Sequence, residues 1–208
     1  MPKRVYLIRH GETEGSAAGR FLGSTDLPLT ARGQEQVRRL ARLLPAGLLA
    51  PGASTWCVAS PMLRAQQTAQ AVAGSSGLPL STDADLREMH FGAWEGLTAD
   101  EIAERFPGGL EEWASPTEDT AFPEGESLRQ FEQRVARARE RIVACEAEAV
   151  VVFAHGGVVR ALACGLLGLG RESFWFFRVE PASVVRVDVF GQGAVLAELW
   201  SVDDREEV

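Results

Sequence analysis

Residues 149–157 read Ala149-Val150-Val151-Val152-Phe153-Ala154-His155-Gly156-Gly157. An unbroken apolar run rich in β-branched residues is the pattern of a strand buried on both faces, as in a parallel sheet covered by helices. The run stops on a histidine and two glycines, after which Val158-Val159-Arg160-Ala161-Leu162 starts a helix. The same arrangement stands near the start of the chain: Arg4-Val5-Tyr6-Leu7-Ile8 reads as a strand, and Arg9-His10-Gly11-Glu12-Thr13 follows it. Two of the three histidines are therefore placed at strand ends before glycine. In open α/β sheets ligands bind beyond the carboxyl ends of the strands, so both imidazoles are expected at one edge. His155 also precedes a helix N-terminus, where backbone N–H groups favour an anion. Gly11 is expected to let the chain turn and to leave room for a substrate against His10. His90 has no such setting and reads as a packing or rim residue.

The chain has 208 residues, enough for one domain with a full core, and its 46% hydrophobic and 24% charged content is ordinary for a globular protein. A net charge of −8 argues against a nucleic-acid surface, which needs a basic face. It does not oppose a small anionic substrate, because a local Arg/His cluster can set the field inside a cleft. The three cysteines, Cys57, Cys145 and Cys164, lack paired spacing and read as reduced thiols. Met-Pro-Lys-Arg runs directly into the first strand without a signal pattern, and no apolar run reaches membrane-spanning length. These features point to the cytoplasm.

Between these strands, residues 14–29 form a polar loop whose Gly23-Ser24-Thr25-Asp26 suits a tight turn or an oxyanion contact. Thr30 is placed as the N-cap of a helix carrying Val37, Leu40, Ala41 and Leu44 at helical spacing, ended by Pro45. Thr55–Ala59 is a second strand, and Ser60-Pro61 is expected to cap and open the next helix, with Arg64 in its first turn reaching the sheet edge. Leu78–Thr82 could add a short strand. Residues 83–126 read as a cap over that edge, irregular from Asp83 to Leu97 and followed by a short helix ending near Phe106-Pro107. They include the capping box Thr98-Ala99-Asp100-Glu101, the residue Trp113 and two candidate acids, Glu88 and Glu95, which the sequence does not separate. Ser127 caps a long helix with the stripe Leu128, Phe131, Val135, Ala138 and Ile142, and residues 183–202 fold back as a hairpin before a frayed acidic tail. The expected architecture is a three-layer α/β/α sandwich with a mostly parallel central sheet, spanning 1–208 as one domain with a cap at about 83–126. Pairing with a second copy is compatible with such a sheet.

Four stretches, in order, resemble the histidine phosphatase superfamily, which also contains the cofactor-dependent phosphoglycerate mutases. They are Arg9-His10-Gly11-Glu12-Thr13, Ser60-Pro61-Met62-Leu63-Arg64-Ala65-Gln66-Gln67-Thr68-Ala69, Glu88-Met89-His90-Phe91-Gly92 and Ala154-His155-Gly156-Gly157. Within the family, the run from Leu86 to Gly96, with Glu124-Gly125-Glu126-Ser127 and Phe174–Val179, looks most like the α-ribazole phosphatase branch. That branch removes phosphate from a nucleotide-like precursor in cobalamin assembly.

The resemblance implies that His10 is the nucleophile that becomes a phosphohistidine, and that Glu88 protonates the leaving oxygen and then activates water. It places Arg9, Arg64, His155 and the Gly156 N–H around the phosphoryl oxygens, work that metal ions do elsewhere, so neither a metal nor another cofactor is expected. Glu12 is assigned a structural part. Where many members carry asparagine at the phosphate pocket this chain has Ser16, which still donates a hydrogen bond but reaches less far. Ser16, Ser24 and Thr25 are the further candidate substrate contacts, and Arg178 a candidate for specificity. The implied substrate is a small phosphorylated metabolite, foremost α-ribazole 5′-phosphate. A phosphoglycerate mutase, a broad-specificity sugar-phosphate or nucleotide phosphatase, and a non-catalytic phosphate-binding module on the same fold are the alternatives, and the mutases carry a longer insertion after the acid.

Overall fold

A computed structural model describes residues 1–204. Its strands are β1 (Lys3–Arg9), β2 (Thr55–Ala59), β3 (Leu80–Thr82), β4 (Ala149–Ala154), β5 (Ser183–Phe190) and β6 (Gly193–Ser201). They make one sheet in the order β3-β2-β4-β1-β5-β6, with the first four parallel and the last two antiparallel. The helices are α1 (Glu14–Ala17), α2 (Ala31–Leu43), α3 (Leu63–Ala73), α4 (Ala99–Arg105), α5 (Gly109–Ala114), α6 (Leu128–Ala144) and α7 (Gly156–Leu167).

Alternation along the buried strands builds two cores. Val5 and Leu7 of β1 with Val150 and Val152 of β4 face α6 and α7, whose Phe131, Val135, Val158 and Leu162 close that side. Tyr6, Ile8, Val151 and Phe153 face the other way, against Val37 and Leu40 of α2 and Ala69 and Val72 of α3. The result is the expected α/β/α sandwich. β1 and β4 are neighbours in register, Arg9 opposite Ala154, and the His10 N–H donates to the Ala154 carbonyl at 3.0 Å. That adjacency sets His10 beside His155.

Several local expectations are corrected. The loop after Thr13 opens with the one-turn helix α1, held by a capping box between Thr13 and Ser16. Helix α3 does not start at Ser60-Pro61; its N-cap is Met62, and the Asp26 carboxylate accepts the Leu63 N–H at 2.8 Å in place of a local cap. Ser60 is instead drawn inward to His155. Gly11 makes room for a helix rather than a substrate, since a Cβ there would lie 2.7 Å from the Gly33 carbonyl and 2.9 Å from Val37. The acidic tail is anchored at its start, where Asp203 accepts from Arg32 and Gln36 of α2; the rest of that tail, 205–208, lies outside the described residues.

Candidate active site

Beyond the ends of β1 and β4 lies a cavity of about 240 Å3 lined by Arg9, His10, Ser16, Arg64, Glu88, Gly156 and Arg160, with an aromatic wall of Phe21, Phe91, Trp113, Phe174 and Trp175. The two imidazoles sit edge to face, 5.2 Å between ring centres. His10 Nδ1 lies 2.7 Å from the Gly11 carbonyl. A carbonyl only accepts, so Nδ1 carries the proton and Nε2 is left with its lone pair. Burial first, then the charges of Arg9 and Arg64, push this imidazole well below its usual value, outweighing the Gly11 hydrogen bond. His10 is thus held neutral, with its basic nitrogen available.

His155 is fully buried and fixed at both ring nitrogens. Arg64 Nε donates to Nδ1 at 3.2 Å, so Nε2 carries the proton and donates to the Ser60 hydroxyl at 2.8 Å. Burial and the nearby Arg64, His10 and Arg9 keep it neutral as well.

The arginines differ in how much of their fork is committed. Arg64 is 1% exposed and, besides His155, donates to the carbonyls of Thr25, Leu22 and Gly23. Arg9 Nη1 donates to the Val179 carbonyl at 2.6 Å, while its buried Nε has no partner. Burial brings the Arg9 guanidinium down to about 10, where it is still a cation at neutral pH. A buried, unpaired guanidinium N–H is costly unless an anion meets it.

Glu88 and Glu95 are separated by their surroundings. Glu95 accepts from the N–H groups of Gly23, Ser24 and Thr25 and from the Ser24 and Thr25 hydroxyls, so the 23–25 turn is an anion cradle already filled from within. Ser24 and Thr25 therefore face Glu95 and do not line the cavity of His10. Glu88 does line it, taking one N–H bond on each oxygen, from Met89 and from Gly157 in the first turn of α7, both at 3.0 Å. A Cβ on Gly157 would come within 2.5 Å of Glu88 Oε1, so a side chain there would displace the carboxylate from this position. Ser16 borders the cavity with its hydroxyl engaged by Thr13. Glu12 is bonded to Thr30 and Gln36, His90 is exposed, and Arg178 pairs with Glu180 away from the cavity. Among the described residues no group of three His, Cys, Asp or Glu is arranged to hold a metal ion.

Residues 5–201 match the histidine phosphatase superfamily (branch 1). The chain belongs to that superfamily. It is 33% identical over 200 residues to the adenosylcobalamin/alpha-ribazole phosphatase of Escherichia coli K12, covering 95% of this chain and 96% of the relative. It is also 32% identical over 202 residues to an Enterobacter protein named "Probable phosphoglycerate mutase GpmB", covering 96% and 91%. The solved alpha-ribazole phosphatase of Shigella flexneri superposes with a TM-score of 0.82 at 32% identity, over 99% of this chain and 100% of that one. The protein is a phosphatase of this family.

For this histidine phosphatase, sequence reasoning left part of the site unread. Arg160, four residues into α7, lines the cavity, donates from Nε to the Phe177 carbonyl at 2.9 Å and lies over the Phe174 and Trp175 rings. The four-residue spacing from Gly156 was a usable signal, because it puts both on one helix face. The aromatic wall gathers residues from distant segments, which periodicity alone does not connect.

Proposed function

We propose that this protein is a metal-independent phosphomonoesterase of the cytoplasm, working through a phosphohistidine on His10. One observation carries the reading: His10 presents an unprotonated Nε2 in a cavity it shares with Arg9, whose buried Nε has no partner, and with Glu88. In the first step Nε2 bonds to phosphorus, the bond to the ester oxygen breaks, and Glu88 gives that oxygen its proton. In the second, the Glu88 carboxylate takes a proton from water, whose oxygen attacks phosphorus and frees His10 and inorganic phosphate. Arg9, Arg64 and the α7 N-terminus at Gly156 meet the phosphoryl charge, with His155 beside them.

Residues 83–126 serve as the specificity cap of a one-domain enzyme, since they supply Glu88, Phe91 and Trp113 to the cavity. The aromatic wall favours a leaving group with a planar ring, which supports the nucleotide-like α-ribazole 5′-phosphate as substrate. The name of the Enterobacter relative favours a second reading, a mutase. A panel of phosphate esters, assayed with chelator present and with His10→Ala alongside, tests both. Phosphate released by wild type alone, with α-ribazole 5′-phosphate preferred, is the expected result. An isomeric phosphate ester without free phosphate would favour the mutase, and full activity in His10→Ala would overturn the mechanism.

A further inference from the structure

The cavity has a cation that neither step above uses. Arg160 is braced on three sides: its Nε is bonded to the Phe177 carbonyl, and its guanidinium carbon lies 5.6 and 5.5 Å from the Phe174 and Trp175 ring centres. This fixes the plane and leaves Nη1 at the space beside Gly156, 3.6 Å from the position a Cβ would take. A pinned guanidinium with its terminal N–H groups on a cavity wall is a preorganised donor.

We propose that Arg160, with the Phe174–Trp175 face behind it, is a leaving-group subsite that accepts esters whose alcohol carries a hydrogen-bond acceptor near the ester oxygen and a planar ring beyond it. Arg160 adjoins the phosphoryl pocket, since its Nη1 and the Arg9 guanidinium are both 3.6 Å from the position a Cβ would take on Gly156. Of the two, Arg160 is the one that lies over the Phe174 and Trp175 rings. It therefore stands between the phosphoryl pocket and the aromatic face, where the first atoms of the departing alcohol would pass. Trp113 packs against Trp175 at 5.4 Å between ring centres and against Phe174 at 6.0 Å, so the ring platform continues outward from the guanidinium. An acceptor on the alcohol meets the Arg160 N–H groups, and a ring lies against the aromatic face.

This inference rests on the two-step reading above, and that chemistry provides the test. A residue touching only the alcohol affects formation of the phosphohistidine and has no influence on its hydrolysis, because the alcohol has left. A residue touching the phosphoryl group affects both. Phosphoenzyme formation and decay are to be measured separately by rapid quench, using radiolabelled nucleoside 5′-monophosphate and glycerol phosphate, for wild type, Arg160→Met and Arg160→Lys.

The expected result is a 10–100-fold fall in the formation constant of Arg160→Met with the nucleotide, on the order of one to three kcal/mol for lost charged hydrogen bonds. The decay constant stays as in wild type. Glycerol phosphate, which has no ring, should lose less, and Arg160→Lys should fall between. Slowed decay in Arg160→Met would make Arg160 a phosphoryl ligand and overturn the proposal, as would unchanged formation. Thermal melting identifies a variant that does not fold, in which case Arg160→Lys decides by the same two constants. Absence of phosphoenzyme in wild type would instead remove the two-step reading itself.

Discussion

Glu88 and Glu95 lie in one irregular segment, both near aromatic rings and both bonded to backbone N–H groups, yet they have been put to different use. Glu95 is saturated: the turn at 23–25 offers it three N–H groups and two hydroxyls, and the Phe91 N–H adds another at 3.2 Å. It ties the 14–29 loop to the 83–126 segment. Glu88 receives one N–H per oxygen, faces the cavity, and interacts with the charges of Arg9, Arg64 and Arg160. Each ionised carboxylate oxygen can accept twice, so only Glu88 keeps capacity for a substrate or a water. What separates a reagent from a strut here is unfilled coordination aimed into a cavity.

The sharpest way to break that comparison is to neutralise each acid in turn. Glu88→Gln should lower kcat/KM for alkyl phosphates by about 10²–10⁴-fold while leaving the melting temperature near that of wild type. The loss should shrink for aryl esters, whose leaving oxygen needs less help from an acid. Glu95→Gln should keep kcat/KM within a few-fold but cost about 1–3 kcal/mol of stability, as N–H groups lose a charged acceptor. Steady-state kinetics beside urea unfolding separates the two. A stable but inactive Glu95→Gln would mean that the 23–25 cradle serves the reaction after all.

A second experiment turns to the charge that acts on the nucleophile. Arg9→Gln removes a guanidinium with an unpartnered Nε from the phosphoryl pocket, with an expected loss of about 10²–10³-fold in kcat/KM. It also lifts one of the two charges that depress His10, so the imidazole should move up toward its ordinary value of 6.5. Neutral His10 is then lost at a higher pH, and the acid limb of the kcat/KM profile should shift upward relative to wild type. An unmoved limb would assign the depression to burial alone.

How much of this was legible in the sequence follows from the range of each interaction. The strand-end histidines could be read because apolar run, histidine and glycine are contiguous, and the capping boxes at Thr98 and Ser127 are equally local. The split between Glu88 and Glu95 could not be read, because the partners that decide it, Gly157 and the 23–25 turn, lie about 70 residues away along the chain. The start of α3 was misplaced for the same reason: its cap is Asp26, supplied from another loop. Arg160 was placed only in the run that starts a helix, because the contacts that give it a part come from the 171–177 segment folded over it.

The smallest expected effect separates the two kinds of buried group by pH. His10 and His155 are held below 6.5 in the folded protein, chiefly by burial and then by neighbouring arginines. The unfolded chain takes up protons near 6.5 that the native state refuses. Stability should therefore fall as pH drops below about 6.5, by at most about 1.4 kcal/mol per pH unit for each histidine. Glu95 behaves differently: burial raises it, but the hydrogen bonds from Ser24, Thr25 and Gly23 prevail and hold it below 4.5. Its contribution is complete above about 4.5 and is lost as pH falls through the folded value. Urea midpoints from pH 8 to pH 3 should show these as two windows. His10→Ala should flatten the upper window by about half and leave the lower one alone, whereas Glu95→Gln should flatten only the lower. A wild-type curve level between pH 6.5 and 5 would mean that the histidines take up protons without unfolding, and the neutral nucleophile inferred from the Gly11 hydrogen bond would then have to be abandoned.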